Sequence, residues 1–153
     1  MNNPIRRMTL EDLPAVKKVI DDNELFPSNL LDDMTAGYFA DEEESGYWLT
    51  YNDREAVAVA CYTPERMTEG TWNVLLLAVR PDHQGKGLGG ALMGYIEQTL
   101  RKRSARVLLV ETSGLDNFDR TRTFYRKNGY EEEARIREFY AKGEDKIIFR
   151  KSL

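Results

Sequence analysis

From Val79 to Leu92 the chain reads Val-Arg-Pro-Asp-His-Gln-Gly-Lys-Gly-Leu-Gly-Gly-Ala-Leu, with four glycines in the six positions 85–90. A short apolar run, Val74 to Val79, precedes it; Ala91, Leu92, Tyr95, Ile96 and Leu100 follow at helical spacing. The pattern predicts strand, glycine loop, helix. Glycines strip such a loop of side chains, so bare backbone N–H groups collect at the helix N-terminus. Those orphan donors, with the positive end of the helix dipole, attract a phosphate or diphosphate. Gln84, Gly85, Lys86, Gly87, Leu88, Gly89 and Gly90 are therefore the candidates for holding a phosphate-bearing cofactor.

Several glycine-loop chemistries compete. A Walker-type loop needs a hydroxyl residue directly after its lysine to hold magnesium, and Lys86 is followed by Gly87. A dinucleotide fingerprint fits the spacing of Gly85, Gly87 and Gly90, with Glu111 at the end of the next strand as a ribose partner. However, Pro81 to Gln84 separate the first glycine from the strand, and too little chain follows for a doubly wound sheet. Gln84-Gly85-Lys86-Gly87-Leu88-Gly89, preceded by Val79-Arg80-Pro81, resembles the Q/R-x-x-G-x-G/A signature of the GNAT superfamily of N-acetyltransferases. The resemblance extends over essentially the whole chain. It implies that the loop amides cradle the diphosphate of acetyl-CoA, and that Leu77, Ala78 and Val79 contact its pantetheine arm through their backbone.

At 153 residues the chain is long enough for one domain, here residues 1–153, with a core that needs no disulfide or metal. Its net charge of −4 carries no basic footprint for nucleic acid. A single cysteine, Cys61, excludes an internal disulfide and a cysteine-rich zinc site, and lies in an alternating run as a buried structural thiol. One histidine, His83, excludes a multi-histidine metal centre; a solvated loop imidazole is expected. No segment is apolar enough to span a bilayer and the first residues lack a signal-peptide core, so a cytoplasmic protein is expected.

The elements that must position these residues follow from pattern. Ile5–Met8 reads as a strand, and Thr9 caps a helix from about Leu10 to Asp22. A second helix is expected over Leu30–Phe39, capped by Ser28 or Asn29, before an acidic run, Asp41 to Glu44, read as a solvated loop. Strands Gly46–Tyr51 and Ala56–Thr63 flank a turn at Asn52-Asp53-Arg54-Glu55. Trp72–Val79, the helix Gly87–Lys102 and Arg106–Thr112 make a parallel strand pair with its crossover. A short helix Thr121–Lys127, beginning as early as Asn117, stops at Asn128-Gly129, and Tyr130–Tyr140 pairs with Lys146–Lys151. The expected fold class is α/β with a mixed sheet; resemblance to GNAT implies a splayed, mostly antiparallel one.

Acetyl transfer to an amine requires that the ammonium lose a proton and that the departing thiolate be stabilised. A lysine-like amine with a pKa of about 10.4 is almost wholly protonated at neutral pH, so a base is useful. Glu111 ends an apolar strand and resembles the basic glutamate of ribosomal-protein alanine acetyltransferases; the alternative is a strand-end carboxylate in water or paired with an arginine such as Arg106. Phe124-Tyr125 followed by Lys127-Asn128-Gly129-Tyr130 resembles the family's F/L-Y-x-x-x-G-F/Y segment, which implies that Tyr125 faces the cofactor sulfur as its proton donor. The alternative is an aromatic that packs its helix on the sheet.

Where many GNAT members carry an asparagine seven residues before the tyrosine, this chain has Phe118; the adjacent Asn117 is the candidate substitute. Gly114-Leu115-Asp116-Asn117 reads as an insertion. The run Glu138 to Lys146 resembles a segment of protein N-terminal acetyltransferases that borders the acceptor, which marks Tyr140 as a candidate lining residue. Glu131-Glu132-Glu133 offers charge to a cationic acceptor, or is a solvated strand edge.

The sequence thus points to an acetyl-CoA-dependent N-acetyltransferase that works by direct transfer without a metal, since no thiol or serine presents itself as an acyl carrier. Its expected partner is a small-molecule or peptide amine, not nucleic acid or membrane, and the chain is expected as a monomer or homodimer. A non-catalytic acyl-CoA-binding module would keep the loop without needing Glu111 or Tyr125.

Overall fold

The computed structural model describes residues 3–42 and 45–153, so Met1, Asn2 and the Glu43-Glu44 half of the acidic run lie outside the described residues. By their contacts the residues divide into two compact units, Met1–Thr63 with Leu75–Gln98 and Pro64–Val74 with Thr99–Leu153.

In the first unit, β1 (Ile5–Arg7) pairs antiparallel with β2 (Tyr47–Asp53), and β2 with β3 (Glu55–Pro64). The turn joining β2 to β3 is tighter than the four-residue one expected. Asp53 already pairs with Glu55, leaving Arg54 alone at φ +71°, and a bulge between Tyr51 and Asn52 absorbs the extra residue. The first helix starts as a 3₁₀ turn, Leu10–Asp12, before α1 (Leu13–Asp22). Asp12 accepts from the Thr9 amide at 2.8 Å and is clamped by both terminal nitrogens of Arg6, at 2.7 and 2.8 Å. The next helix, α2 (Leu31–Phe39), also enters through a 3₁₀ turn, Ser28–Leu30. Ser28 does not cap it; its hydroxyl donates to Asp21 at 2.9 Å. Val16, Val19, Ile20, Leu31 and Tyr38 pack with Trp48, Val59 and Cys61 into the core. Burial pushes the Cys61 thiol up to about 12, so it stays protonated and inert.

β4 (Thr71–Val79) belongs to both units. Its ladder with β5 (Val107–Ser113) is parallel and comprises the pairs Thr71↔Val107 to Val74↔Val110; β4 runs on to Val79 and β5 to Ser113. The crossover is α3 (Leu88–Lys102), whose Leu92, Met93, Ile96 and Leu100 are fully buried. Ala91, expected on that face, is exposed, and Glu97 is buried instead.

In the second unit a 3₁₀ turn, Asp116–Phe118, leads into α4 (Asp119–Lys127). Gly129 ends that helix at φ +89°, with its amide on the Arg126 carbonyl at 3.1 Å. The chain closes with β6 (Glu131–Ala141) and β7 (Glu144–Ser152), which pair antiparallel; β7 pairs antiparallel with β5. Leu108, Val110, Ile147 and Phe149 are fully buried there. Among the described residues the sheet order is β1-β2-β3-β4-β5-β7-β6, a mixed and mostly antiparallel sheet with four α-helices, as the resemblance implies. No helix among the described residues is long and apolar enough to cross a membrane.

Candidate active site

The glycine loop spans the three residues between Gln84 and α3, with Gly85 at φ +77° and Gly87 at φ +85°. A Cβ built on either glycine meets nothing within 4 Å. The amides of Gly85, Lys86 and Gly87 donate to no described residue, and those of Leu88, Gly89 and Gly90 open the helix, where no turn precedes them to accept. Bare donors, open space and a helix N-terminus together form a cradle that suits a diphosphate.

Gln84 has a different part. Its Nε2 donates to the Val79 carbonyl at 3.0 Å and to Asn23 Oδ1 at 3.1 Å, while Asn23 Nδ2 donates to the same carbonyl at 2.9 Å. The side chain therefore ties the loop to the end of β4 and positions the amides. With two donors already on it, the Val79 carbonyl has no acceptor left for a ligand.

Ahead of the loop stands a network of charges. Arg80 bonds Glu55 at 2.8 Å and Asp82 at 2.8 and 3.2 Å. The His83 ring lies within 2.9 Å of Asp82 and 3.1 Å of Asp53, one carboxylate at each nitrogen. Two acceptors favour the doubly protonated ring, so the hydrogen bonds to Asp82 and Asp53 raise the His83 pKa. His83 is thus more engaged than the solvated imidazole expected from sequence. A raised histidine pKa stabilises the fold fully below the unfolded-state value of about 6.5 and loses that contribution as pH rises through the folded value. Between pH 6 and 9, His83→Asn should lose less in Tm than the wild type. Parallel melting curves for the two proteins would exclude this role.

In the second unit Tyr125 is 3 % exposed, on the buried face of α4. Its ring centroid lies 5.2 Å from Phe124, 5.9 Å from Tyr130 and 5.7 Å from Phe149. The hydroxyl has no partner among the described residues. Burial raises the phenol pKa well beyond its ordinary value near 10. The ring packs its helix, as one of the two readings expects, and the hydroxyl stays protonated.

Glu111 lies on β5 opposite Ile148, and Lys146 is two residues along β7 from that partner, hence a diagonal neighbour on the same face. The two side chains form an ion pair, at 16 % and 11 % exposure. The expected alternative partner, Arg106, instead donates to the Glu69 carbonyl at 2.6 Å. The Lys146 ammonium also lies 3.9 Å from the centre of the Phe139 ring. Tyr140 shares the neighbourhood: burial, Glu111 and Glu144 raise its pKa, in that order. Val110 pairs with Phe149, against which Tyr125 packs, so alternation puts Glu111 on the other face from Tyr125. No hydrogen bond or ion pair joins the two.

These features match a known family. The model of the acetyltransferase (GNAT) domain matches residues 43–132. The chain belongs to the GNAT acetyltransferase family. An uncharacterised N-acetyltransferase of Methanocaldococcus jannaschii is 26 % identical over 147 residues, 94 % of this chain and 88 % of that protein. A Desulfovibrio desulfuricans protein assigned to the GNAT family superposes with a TM-score of 0.88 at 30 % identity, covering 97 % of both chains. A Salmonella typhimurium protein described as an acetyltransferase, solved with its cofactor acetyl-CoA, has a TM-score of 0.76 at 18 % identity over 97 % of this chain and 92 % of its own.

In this GNAT chain Asn117 is exposed in the 3₁₀ turn before α4. The segment around it is pinned by Arg122, which donates to the carbonyls of Ser113 at 2.7 Å and Leu115 at 2.9 Å. Sequence reasoning passed over Arg122, Asn23, Phe139 and Lys146. Only Lys146 left a signal: it closes the run Glu138 to Lys146 that contains the candidate Tyr140. Glu131, Glu132 and Glu133 lie on the exposed β6, where Glu132 pairs with Arg126 at 3.4 Å.

Proposed function

We propose that this GNAT acetyltransferase moves an acetyl group from acetyl-CoA to a primary amine by direct transfer, with both substrates bound together. The observation that carries the proposal is the row of unpaired amides from Gly85 to Gly87, in open space before the first turn of α3. Acetyl-CoA supplies the activated acyl thioester. Gly85 to Gly90 hold its diphosphate, Gln84 and Asn23 set the loop, and Leu77 and Ala78 offer backbone to the pantetheine arm. Glu111 takes the proton that the acceptor's ammonium must lose, directly or through a water. Tyr125 donates its hydroxyl hydrogen to the departing sulfur. Its raised pKa makes hydrogen bonding to the thiolate its main service, with proton delivery following. The buried, protonated Cys61 supports transfer without an acyl-enzyme.

Thiol release should depend on both acetyl-CoA and an amine in a panel spanning amino acids, polyamines, aminoglycosides and peptide N-termini. Tight acetyl-CoA binding without amine-dependent release across that panel would make the chain a binding module instead.

A further inference from the structure

The proposed chemistry uses Glu111 but leaves its partner unexplained. Lys146 puts its ammonium on the Glu111 carboxylate and over the Phe139 ring, 3.9 Å from its centre. A carboxylate joined to an aromatic face is a recognition site for an alkylammonium ion. We propose that Lys146 occupies the place of the acceptor's own ammonium, so that a cationic acceptor reaches Glu111 only by displacing it. This rests on the reading of Glu111 as the base.

Three observations carry it. The ammonium is inside while the aromatic rim is open: the Lys146 side chain is 11 % exposed, against 51 % for Phe139 and 45 % for Tyr140. An incoming cation therefore meets the rings before it meets the carboxylate. The three groups also come from three strands, Glu111 from β5, Phe139 from β6 and Lys146 from β7. Moving the lysine needs only its four-carbon stem to swing, with the carboxylate and ring left in place. Finally, Glu144 stands two residues before Lys146 on β7, on the same face, and offers a displaced ammonium a second carboxylate. A site already filled by its own lysine binds an external ammonium more weakly, by the fraction of time the lysine is away.

The test uses n-butylammonium chloride as probe, titrated against the full chain with sodium chloride as the ionic-strength control. Binding is read from thermal shift and from the NMR signals of the Phe139 ring. Lys146→Met should bind the probe at least about 10-fold more tightly than the wild type. The double variant Lys146→Met/Glu111→Gln should lose that gain. Equal binding by wild type and Lys146→Met, weaker binding by the variant, or a gain that survives Glu111→Gln would each overturn the proposal. Should Lys146→Met fail to fold, Lys146→Gln is judged by the same criteria. The readout is independent of turnover. If Lys146→Met gains affinity yet no amine in the panel is acetylated, the catalytic reading of Glu111 fails and the displaced-lysine site stands.

Discussion

Tyr125→Phe is expected to slow acetyl transfer by about 10²–10⁴-fold, the usual contribution of a positioned proton donor. The substitution isolates the hydroxyl. The Tyr125 ring is held by Phe124, Tyr130 and Phe149, and a phenyl group keeps all three contacts. No described residue hydrogen-bonds the hydroxyl, so its removal leaves no orphaned partner and Tm should stay near the wild-type value. Acetyl-CoA affinity should also be little changed, which places the loss in kcat. Burial holds the phenol protonated, so the wild-type rate should show no falling limb from this group below about pH 10. Steady-state thiol release measures all of this. An unchanged kcat would remove the phenol from the chemistry and leave it a packing residue.

The second large effect belongs to the glycine loop. Gly87→Leu should weaken acetyl-CoA binding by at least about 100-fold, because its side chain fills the space in front of amides that would hydrogen-bond a charged diphosphate. The fold should survive. A Cβ at this position meets nothing within 4 Å, so the cost is the left-handed φ of +85°, not a clash. For an L-residue that conformation costs roughly 1–2 kcal/mol, a drop of about 4 °C in Tm for a chain of this size. Calorimetry gives the affinity and a melting curve the control. Unaltered acetyl-CoA binding in a folded variant would refute the loop assignment.

How much of this was legible without coordinates differs from residue to residue. The loop was, since the absence of side chains at Gly85 and Gly87 is itself the functional property. The stop of α4 at Gly129 was as well, for the same local reason. The turn after β2 is one residue and not the four expected, because Asn52, Asp53 and Glu55 stay in the ladder past a bulge at Tyr51/Asn52 and Arg54 alone makes the bend. Gln84 is expected among the ligand-binding residues, and its side chain bonds Val79 and Asn23, the latter 61 residues away in the chain. His83 gained carboxylate partners on both ring nitrogens, one of them from a hairpin 30 residues earlier.

Glu111 shows the boundary most clearly. That a carboxylate follows the apolar run Val107 to Val110 can be read along the chain, although β5 runs on past Glu111 to Ser113; so can the glycine loop before a helix and the order of strands and helices. All follow from backbone chemistry and periodicity within a few residues. The meeting of Glu111 with Lys146 and Phe139, the bonds of Gln84 to Val79 and Asn23 and the depth of the Tyr125 ring depend on which elements lie side by side and in what register. A slip of one residue in β7 would send Lys146 to the opposite face of the sheet, and no local pattern records that choice.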